Sequence, residues 1–194
     1  NKCGASCVMC PRELMTNNFS TMKNELFEKI VEDAFANGVE ILDLCGYGDV
    51  FLDKQLFAKV KFAKDLKPDC KVFVSTTGIS MLPRMAEDIV ELIDILKFSI
   101  YGVSQETYSY MMGGISRDKA YSNINHLLNV IRETKACTYT VGNFIVMPES
   151  EHEMDDWLSI WEPKLSEVYC WKPHNYIYGR AYRDISGKSQ KTCG

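Results

Sequence analysis

Three cysteines, Cys3, Cys7 and Cys10, lie within the first ten residues, in the segment NKCGASCVMC. Clustered thiols of this kind form disulfides, bind zinc or bind an iron–sulfur cluster. A structural zinc site takes four ligands, usually from two close pairs, and the sequence has no second CxxC or HxxxH pair. An iron–sulfur cubane also usually has four cysteine ligands. Three ligands leave one iron open, and an open coordination position is typical of a metal site that reacts with a substrate or cofactor.

The remainder of the chain alternates between helical and extended segments, which must position these cysteines. Apolar residues at helical spacing predict helices over 21–37, 53–66, 82–93, 117–134 and 151–162. Short apolar runs rich in β-branched residues predict strands over 39–44, 71–76, 95–100, 138–147 and 167–172. Strands that alternate with helices at this spacing predict right-handed βαβ crossovers, a parallel sheet and strands buried on both faces.

Residues whose side chains or backbone could bind a ligand follow the predicted strands at their carboxyl ends, where parallel α/β folds place their functional sites. The segments are CGYGD (45–49), TTG (76–78), YG (101–102), PES (148–150) and PHN (173–175). Glycines in the first of these suit a turn or a close backbone approach, and Asp49 suits a helix N-cap. His174 follows the last predicted strand and is a candidate to face a substrate.

With these motifs the chain resembles the radical S-adenosylmethionine (SAM) enzymes, whose hallmark is CxxxCxxC. Here the hallmark is Cys3-Gly-Ala-Ser-Cys7-Val-Met-Cys10, and the continuation Pro11-Arg12 resembles the MCPR branch of the family. The resemblance implies that the three cysteines hold a [4Fe–4S] cluster whose open iron binds SAM. It also implies that reductive cleavage of SAM yields a 5′-deoxyadenosyl radical, which takes a hydrogen atom from the substrate.

Two glycine-containing segments resemble SAM-binding motifs of the family. Gly46-Tyr47-Gly48-Asp49 resembles the GGEP motif, with Asp49 and Val50 in place of the usual glutamate and proline. Thr76-Thr77-Gly78 resembles the TNG motif, with threonine in place of asparagine. The resemblance implies that Gly46, Tyr47, Gly48, Asp49 and Thr77 bind SAM.

The resemblance continues through the second half of the chain. Ser99-Ile100-Tyr101-Gly102, followed by Glu106-Thr107-Tyr108 and Gly113-Gly114, resembles SIDG…ETY…RGG, with Met112 in place of arginine. Residues 143–148 (NFIVMP) resemble the region that packs on the adenine. Ser99 and Ile145 are thereby implied as further SAM-binding residues.

The fold and partners that the resemblance implies are those of a radical SAM core over residues 1–183. This core is an α/β fold, a partial (β/α)6 TIM-like barrel whose mostly parallel sheet has its first strand upstream of Asn1. An electron donor such as flavodoxin or ferredoxin reduces the cluster, and the substrate is a peptide or a small molecule. Residues 184–194 begin a C-terminal extension in which Cys193 is the first ligand of one or two auxiliary [4Fe–4S] clusters in a SPASM or twitch module.

Such modules are associated with peptide and protein modification, which the aromatic-rich segment KPHNYIYGRAYR also favours. Dehydrogenation or epimerisation of a small alcohol or sugar is the alternative within the family. A non-catalytic iron–sulfur or zinc-binding α/β protein is the alternative from another class.

Composition narrows the function classes further. The 194-residue chain has a net charge of −4 and no basic run, which argues against nucleic-acid binding. No apolar stretch approaches the roughly 18 residues of a membrane span. Cys45, Cys70, Cys137 and Cys170 are scattered singly in or beside apolar strands, which predicts buried, inert thiols. Reduced thiols of this kind predict a cytoplasmic protein.

Overall fold

The computed structural model describes residues 1–16 and 20–173, and these residues form one sheet of five parallel strands in the spatial order β1-β2-β3-β4-β5. The strands are β1 Ile41–Asp43, β2 Lys71–Thr76, β3 Ile95–Ser99, β4 Tyr139–Ile145 and β5 Glu167–Trp171. The helices are α1 Asn24–Ala36, α2 Leu56–Leu66, α3 Ala86–Leu92, α4 Gln105–Met111, α5 Arg117–Thr134 and α6 Met154–Trp161. None of these helices is long and apolar enough to cross a membrane. The predicted alternation of helices with a parallel sheet is confirmed.

Strand β1 is shorter than the predicted strand 39–44 because turns use both ends of that segment. At the amino-terminal end, the Val39 N–H donates to the Ala34 carbonyl oxygen at 3.0 Å and so belongs to the end of α1. At the other end, the Cys45 N–H donates to Asp43 Oδ1 at 2.8 Å, which turns the chain out of the strand.

Helix α4 lies in a segment for which the sequence predicts no element. The Ser104 side chain caps it by accepting from the Thr107 N–H at 3.0 Å. The Glu153 carboxylate, from the turn before α6, accepts from the N–H groups of Val103 and Ser104 at 2.5 and 3.2 Å. Part of the cap therefore comes from a residue distant in sequence, which a local pattern does not reveal.

The two faces of the sheet differ in what covers them. In β3, Leu96 and Phe98 are fully buried beneath the helices, whereas Lys97 and Ser99 alternate with them and face the opposite, concave side. Ile41 and Tyr139, at the amino-terminal ends of β1 and β4, are 56% and 44% exposed. The prediction that the strands are buried on both faces is therefore wrong for the concave side of β1, β2 and β3, whereas β4 is buried on both faces from Thr140 to Ile145.

The four single cysteines that the sequence predicts to be buried differ in their exposure. Cys70 is buried, as predicted, and Cys170 is half-buried. Cys45 and Cys137 are exposed, so the prediction of buried thiols is wrong for these two. Cys45 follows β1 and Cys137 precedes β4, which places both outside the helix-covered core.

Candidate cofactor site

The loop that carries Cys3, Cys7 and Cys10 is held in shape by its own hydrogen bonds. The Cys10 N–H donates to the Cys7 carbonyl oxygen at 2.9 Å, and the Ala5 N–H lies 3.5 Å from Cys3 Sγ. Arg12 Nη2 donates to the Ala5 carbonyl oxygen at 2.9 Å. The arginine of the MCPR segment therefore braces the loop that presents the thiols.

One side of this cysteine loop is docked on the end of α4. The Val8 N–H donates to the Met111 carbonyl oxygen at 3.1 Å, and Cys7 Sγ lies 3.8 Å from Met112 Sδ. Gly113 packs so closely that a Cβ atom there would lie 2.2 Å from the Ser6 carbonyl oxygen. The predicted double-glycine motif therefore makes room for the cysteine loop.

The other side of the loop is docked on the segment that follows β1. The Asp49 N–H donates to the Lys2 carbonyl oxygen at 2.8 Å. A Cβ atom on Gly48 would lie 2.8 Å from that same oxygen, so glycine is required for this contact. At Gly46, by contrast, a Cβ atom would meet no described atom within 4 Å. Of the two glycines, Gly46 has backbone open to a ligand, whereas Gly48 contacts the chain leading to Cys3.

Cys3, Cys7 and Cys10 lie close enough to interact electrostatically, as the ligands of one cluster must. Burial raises the pKa of the Cys3 thiol, and burial together with the neighbouring Cys3 and Cys10 thiols raises the pKa of Cys7 to about 12. Within the described ranges, no three histidine, cysteine or acidic side chains converge closely enough to hold a single metal ion. Thiolates that bind three different irons of one cubane stand farther apart than ligands of one ion. Iron binding would hold these thiols in the deprotonated form that ligation requires.

Asp49 is buried and links the ends of β1 and β2. Its Oδ2 accepts from the Thr76 hydroxyl at 2.9 Å and from the Thr77 hydroxyl and N–H at 3.1 and 3.3 Å. Its Oδ1 accepts from the Phe51 N–H at 3.2 Å and so caps the 3₁₀ turn Val50–Leu52. Burial raises the pKa of the Asp49 carboxyl, although these hydrogen bonds act in the opposite direction. The carboxylate therefore positions the two predicted cofactor motifs relative to each other.

A polar network lies on the concave face at the ends of β3, β4 and β5. Ser99 pairs in register with Asn143, and Asn143 Nδ2 donates to the Tyr101 hydroxyl at 3.3 Å. Trp171 Nε1 donates to Asn143 Oδ1 at 2.5 Å, and Trp171 is the register partner of Ile145. Burial raises the pKa of Tyr101, while a hydrogen bond with Ser99 lowers it.

In the sequence, Tyr101 belongs to a motif after a predicted strand and Asn143 to the region 143–148 that is expected to pack on the adenine, but the pattern does not identify Trp171 or the hydrogen bonds that join these three residues. Asn143 and Trp171 are brought to Tyr101 by the register of β4 and β5, which the sequence pattern does not reveal.

The structure brings most of the predicted site residues to one edge of the sheet. Gly46, Tyr47, Gly48 and Asp49 follow β1, Thr77 follows β2, Ser99 ends β3 and Ile145 ends β4. The cysteine loop contacts this same edge. A groove of about 420 Å³ lies between α1 and β1 and is lined by the residues 46–49. Cys193 and His174 lie outside the described residues.

The chain is similar to known proteins in sequence and in fold. A family model described as the Radical SAM superfamily matches residues 1–159. Among solved structures, anSMEcpe with bound AdoMet has a TM-score of 0.68 at 14% sequence identity, over 88% of this chain and 48% of that chain. HydG, a maturase of the [FeFe]-hydrogenase, has a TM-score of 0.58 at 15% identity, over 93% of this chain and 43% of that chain.

The two structural likenesses show a common fold, that of a partial TIM-like barrel. This chain spans less than half of either solved chain, at 48% and 43%. No curated protein matches its sequence.

Proposed function

Because this chain belongs to the radical SAM superfamily, we propose that Cys3, Cys7 and Cys10 hold a [4Fe–4S] cluster used with SAM in modification of a peptide or protein. Membership of the superfamily implies the cluster, SAM, a reductant and a substrate. When bound, the reduced cluster and SAM supply the 5′-deoxyadenosyl radical that takes a hydrogen atom from the substrate.

The observation that carries this proposal is the double docking of the cysteine loop. Its backbone contacts Gly48 on one side and Gly113 on the other, and in both places a side chain would collide with a carbonyl oxygen. A loop of three thiols is thereby fixed between the segment that follows β1 and the end of α4. A disulfide or an isolated zinc knuckle would not require this placement.

The chain's own residues orient the cofactor in this proposal. The open backbone of Gly46, beside Tyr47, receives the methionine part of SAM. Ser99 offers a hydroxyl group at the end of β3, and Ile145, which is 4% exposed, contributes apolar surroundings for the adenine. Thr77 contributes through the motif backbone, because its hydroxyl donates to Asp49 at 3.1 Å. Asp49 and Gly48 act indirectly, by fixing the motif and the cysteine loop.

The substrate in this proposal is a peptide or protein. It rests on the concave face, which the described residues leave open to a large substrate, and on the aromatic-rich segment that begins at Lys172. We include a C-terminal auxiliary cluster with Cys193 as its first ligand, and an electron donor such as flavodoxin or ferredoxin. An iron count on the full-length protein tests the auxiliary cluster: content above about four irons per chain should fall in Cys193→Ala. Equal iron content in the wild type and in Cys193→Ala would contradict the proposed auxiliary cluster.

The central experiment is anaerobic reconstitution followed by reduction with dithionite in the presence of SAM. We expect about four irons per cysteine loop and release of 5′-deoxyadenosine. Replacing Cys3, Cys7 and Cys10 together by alanine should abolish both signals. Zinc in place of iron, or a cluster that never cleaves SAM, would favour a non-catalytic metalloprotein instead. Stimulation of 5′-deoxyadenosine formation by sugars or alcohols but not by peptides would contradict the peptide assignment.

A further inference from the structure

We propose that Lys97 binds an anionic group of the substrate, a carboxylate or a phosphate, on the concave face of the sheet. This inference rests on the proposed function and extends it by naming a chemical feature of the substrate. The side chain belongs to the middle of β3, the central strand of the described sheet.

The strand register places Lys97 closer to the amino-terminal ends of the strands than the proposed cofactor residues are. It pairs with Ser75 of β2 and Val141 of β4, two residues before the strand-end layer of Ser99 and Asn143. Two residues of a strand correspond to about 6.6 Å. A group bound by the Lys97 ammonium would therefore lie deeper in the half-barrel than a group that contacts Ser99.

The ammonium of Lys97 lacks the partners that other shielded lysines have. Lys59 Nζ donates to Asp53 and to a backbone carbonyl, both at 2.6 Å, and Lys64 Nζ donates to Asp94 at 2.7 Å and to a carbonyl at 3.2 Å. Lys67 Nζ donates to the Val39 carbonyl oxygen at 3.0 Å.

Lys97 is likewise half-buried, yet within the described residues its Nζ has neither a carboxylate nor a carbonyl partner. Its Nζ lies 5.3 Å from the centroid of the Phe73 ring. A half-buried charge is stabilised when an opposite charge pairs with it, so this position favours an incoming anion.

The acidic groups on the same face form no ion pair with Lys97 and accept hydrogen bonds from neutral groups instead. Asp43 accepts from the Cys45 N–H at 2.8 Å, and Glu167 accepts from the Tyr139 hydroxyl at 3.1 Å. Although the Cys45 side chain is exposed, desolvation by neighbouring atoms and the Asp43 carboxylate raise its pKa to about 12 against the lowering effect of Lys97, so the thiol is neutral. Among the described residues, Lys97 Nζ therefore forms no ion pair, although the Asp43 carboxylate lies on the same face.

Lysine acetylation, measured by mass spectrometry on the reconstituted protein, tests the inference without any SAM cleavage. The probes are sodium acetate and inorganic phosphate, each compared with sodium chloride at equal ionic strength. Lys71 is the matched control, because it lies on the adjacent strand but its ammonium pairs with Asp94 at 3.1 Å. We expect a probe to slow acetylation of Lys97 roughly two- to fivefold, the range of a partly exposed ion pair, and to leave Lys71 unchanged.

The two probes and SAM distinguish the sources of the anion. Protection by acetate alone indicates a carboxylate substrate, and protection by phosphate alone indicates a phosphorylated one. Protection by SAM at low concentration, with no effect of either probe, would assign Lys97 to the cofactor and overturn the inference. Equal effects of chloride and both probes would also overturn it.

Substitutions provide a second measurement. The probe that protects Lys97 should raise the melting temperature of the wild type and of Lys97→Arg, but not of Lys97→Gln. An identical rise in Lys97→Gln would contradict the inference. Formation of 5′-deoxyadenosine by the wild type is measured separately. Its absence would contradict the proposed function, whereas loss of probe protection at Lys97 alone would contradict the anion site.

Discussion

Gly113 lies directly against Ser6, because a Cβ atom at Gly113 would be 2.2 Å from the Ser6 carbonyl oxygen. Gly113 also has a φ of 68°, in the left-handed region that favours glycine. Glycine is thus needed here for two separate reasons, conformation and space. The contact joins the end of α4 to the middle of the cysteine loop.

Gly113→Ala should therefore prevent docking of the cysteine loop. We expect a free energy of unfolding lower by about 1–3 kcal/mol from overpacking, in addition to the backbone term, and poor iron uptake. Gly114→Ala is the matched control, since Gly114 has a φ of 84° but no described atom within 4 Å of its Cβ position. Urea unfolding and an iron assay measure both effects, and equal losses in the two variants would show that only conformation matters.

Gly46 and Gly48 should respond differently to the same substitution. Gly46→Val adds a side chain to the open groove, so SAM should bind about tenfold more weakly or worse, equivalent to ~1.4 kcal/mol, with iron content retained. Gly48→Val pushes against the Lys2 carbonyl oxygen and should reduce iron content as well. Equilibrium SAM binding and iron analysis distinguish the two, and iron loss in Gly46→Val would contradict the assignment.

Glu153 should contribute stability that depends on pH. Burial raises the pKa of its carboxyl, but hydrogen bonds from Ser104 and Val103 outweigh burial and lower the pKa below the ordinary 4.5. The folded state therefore binds fewer protons than the unfolded state between the two pKa values, so stability rises with pH across that interval. The contribution is complete above pH 4.5 and is lost as the pH falls through the folded-state value.

Glu153→Gln should thus lower the free energy of unfolding of the apo-protein by about 1.5–3 kcal/mol at pH 7, and by less as the pH falls below 4.5. Glu151→Gln is the control, because the Glu151 side chain is 58% exposed and should change stability by less than about 0.5 kcal/mol. Urea unfolding over a pH series measures both variants. A loss that stays constant with pH would show that the charge of Glu153 does not matter.

Tyr101→Phe should weaken the strand-end network without unfolding the protein. Loss of the hydroxyl removes the acceptor for Asn143 Nδ2, which costs about 0.5–1.5 kcal/mol. We expect unchanged iron content and slower formation of 5′-deoxyadenosine. Tyr110→Phe is the control, since Tyr110 is 49% exposed and lies outside this network. Equal rates in both variants would exclude a role for the Tyr101 hydroxyl.

Local pattern was sufficient to predict much of the fold. The five strands and the helix at residues 117–134 follow from apolar periodicity, and α5 has the predicted bounds. Helix α4 was missed because Glu153, distant in sequence, completes its cap. Strand β1 is shorter than predicted because Val39 belongs to the end of α1 and the Asp43 side chain accepts from the Cys45 N–H.

The predicted SAM-binding residues lie at one edge of the sheet, but their roles stay predictions. The motifs that follow the strands do meet the cysteine loop at one edge. Sequence motifs suggested the same ligand-binding role for Gly46 and Gly48, whereas packing separates them. The partners of Asp49 and the environment of Lys97 depend on strand register and side-chain packing, which no single segment encodes.

The docked cysteine loop also contains two reporters of its own opening. The Val8 amide hydrogen is bonded to Met111 on the α4 side, and the Asp49 amide hydrogen is bonded to Lys2 on the β1 side. Each exchanges with deuterium only when its own contact breaks. Matching exchange rates at the two amides would show that the loop detaches as a unit, and unequal rates would identify the side that opens first. Cluster insertion should slow exchange at both amides, because a ligand that binds only the closed form stabilises it.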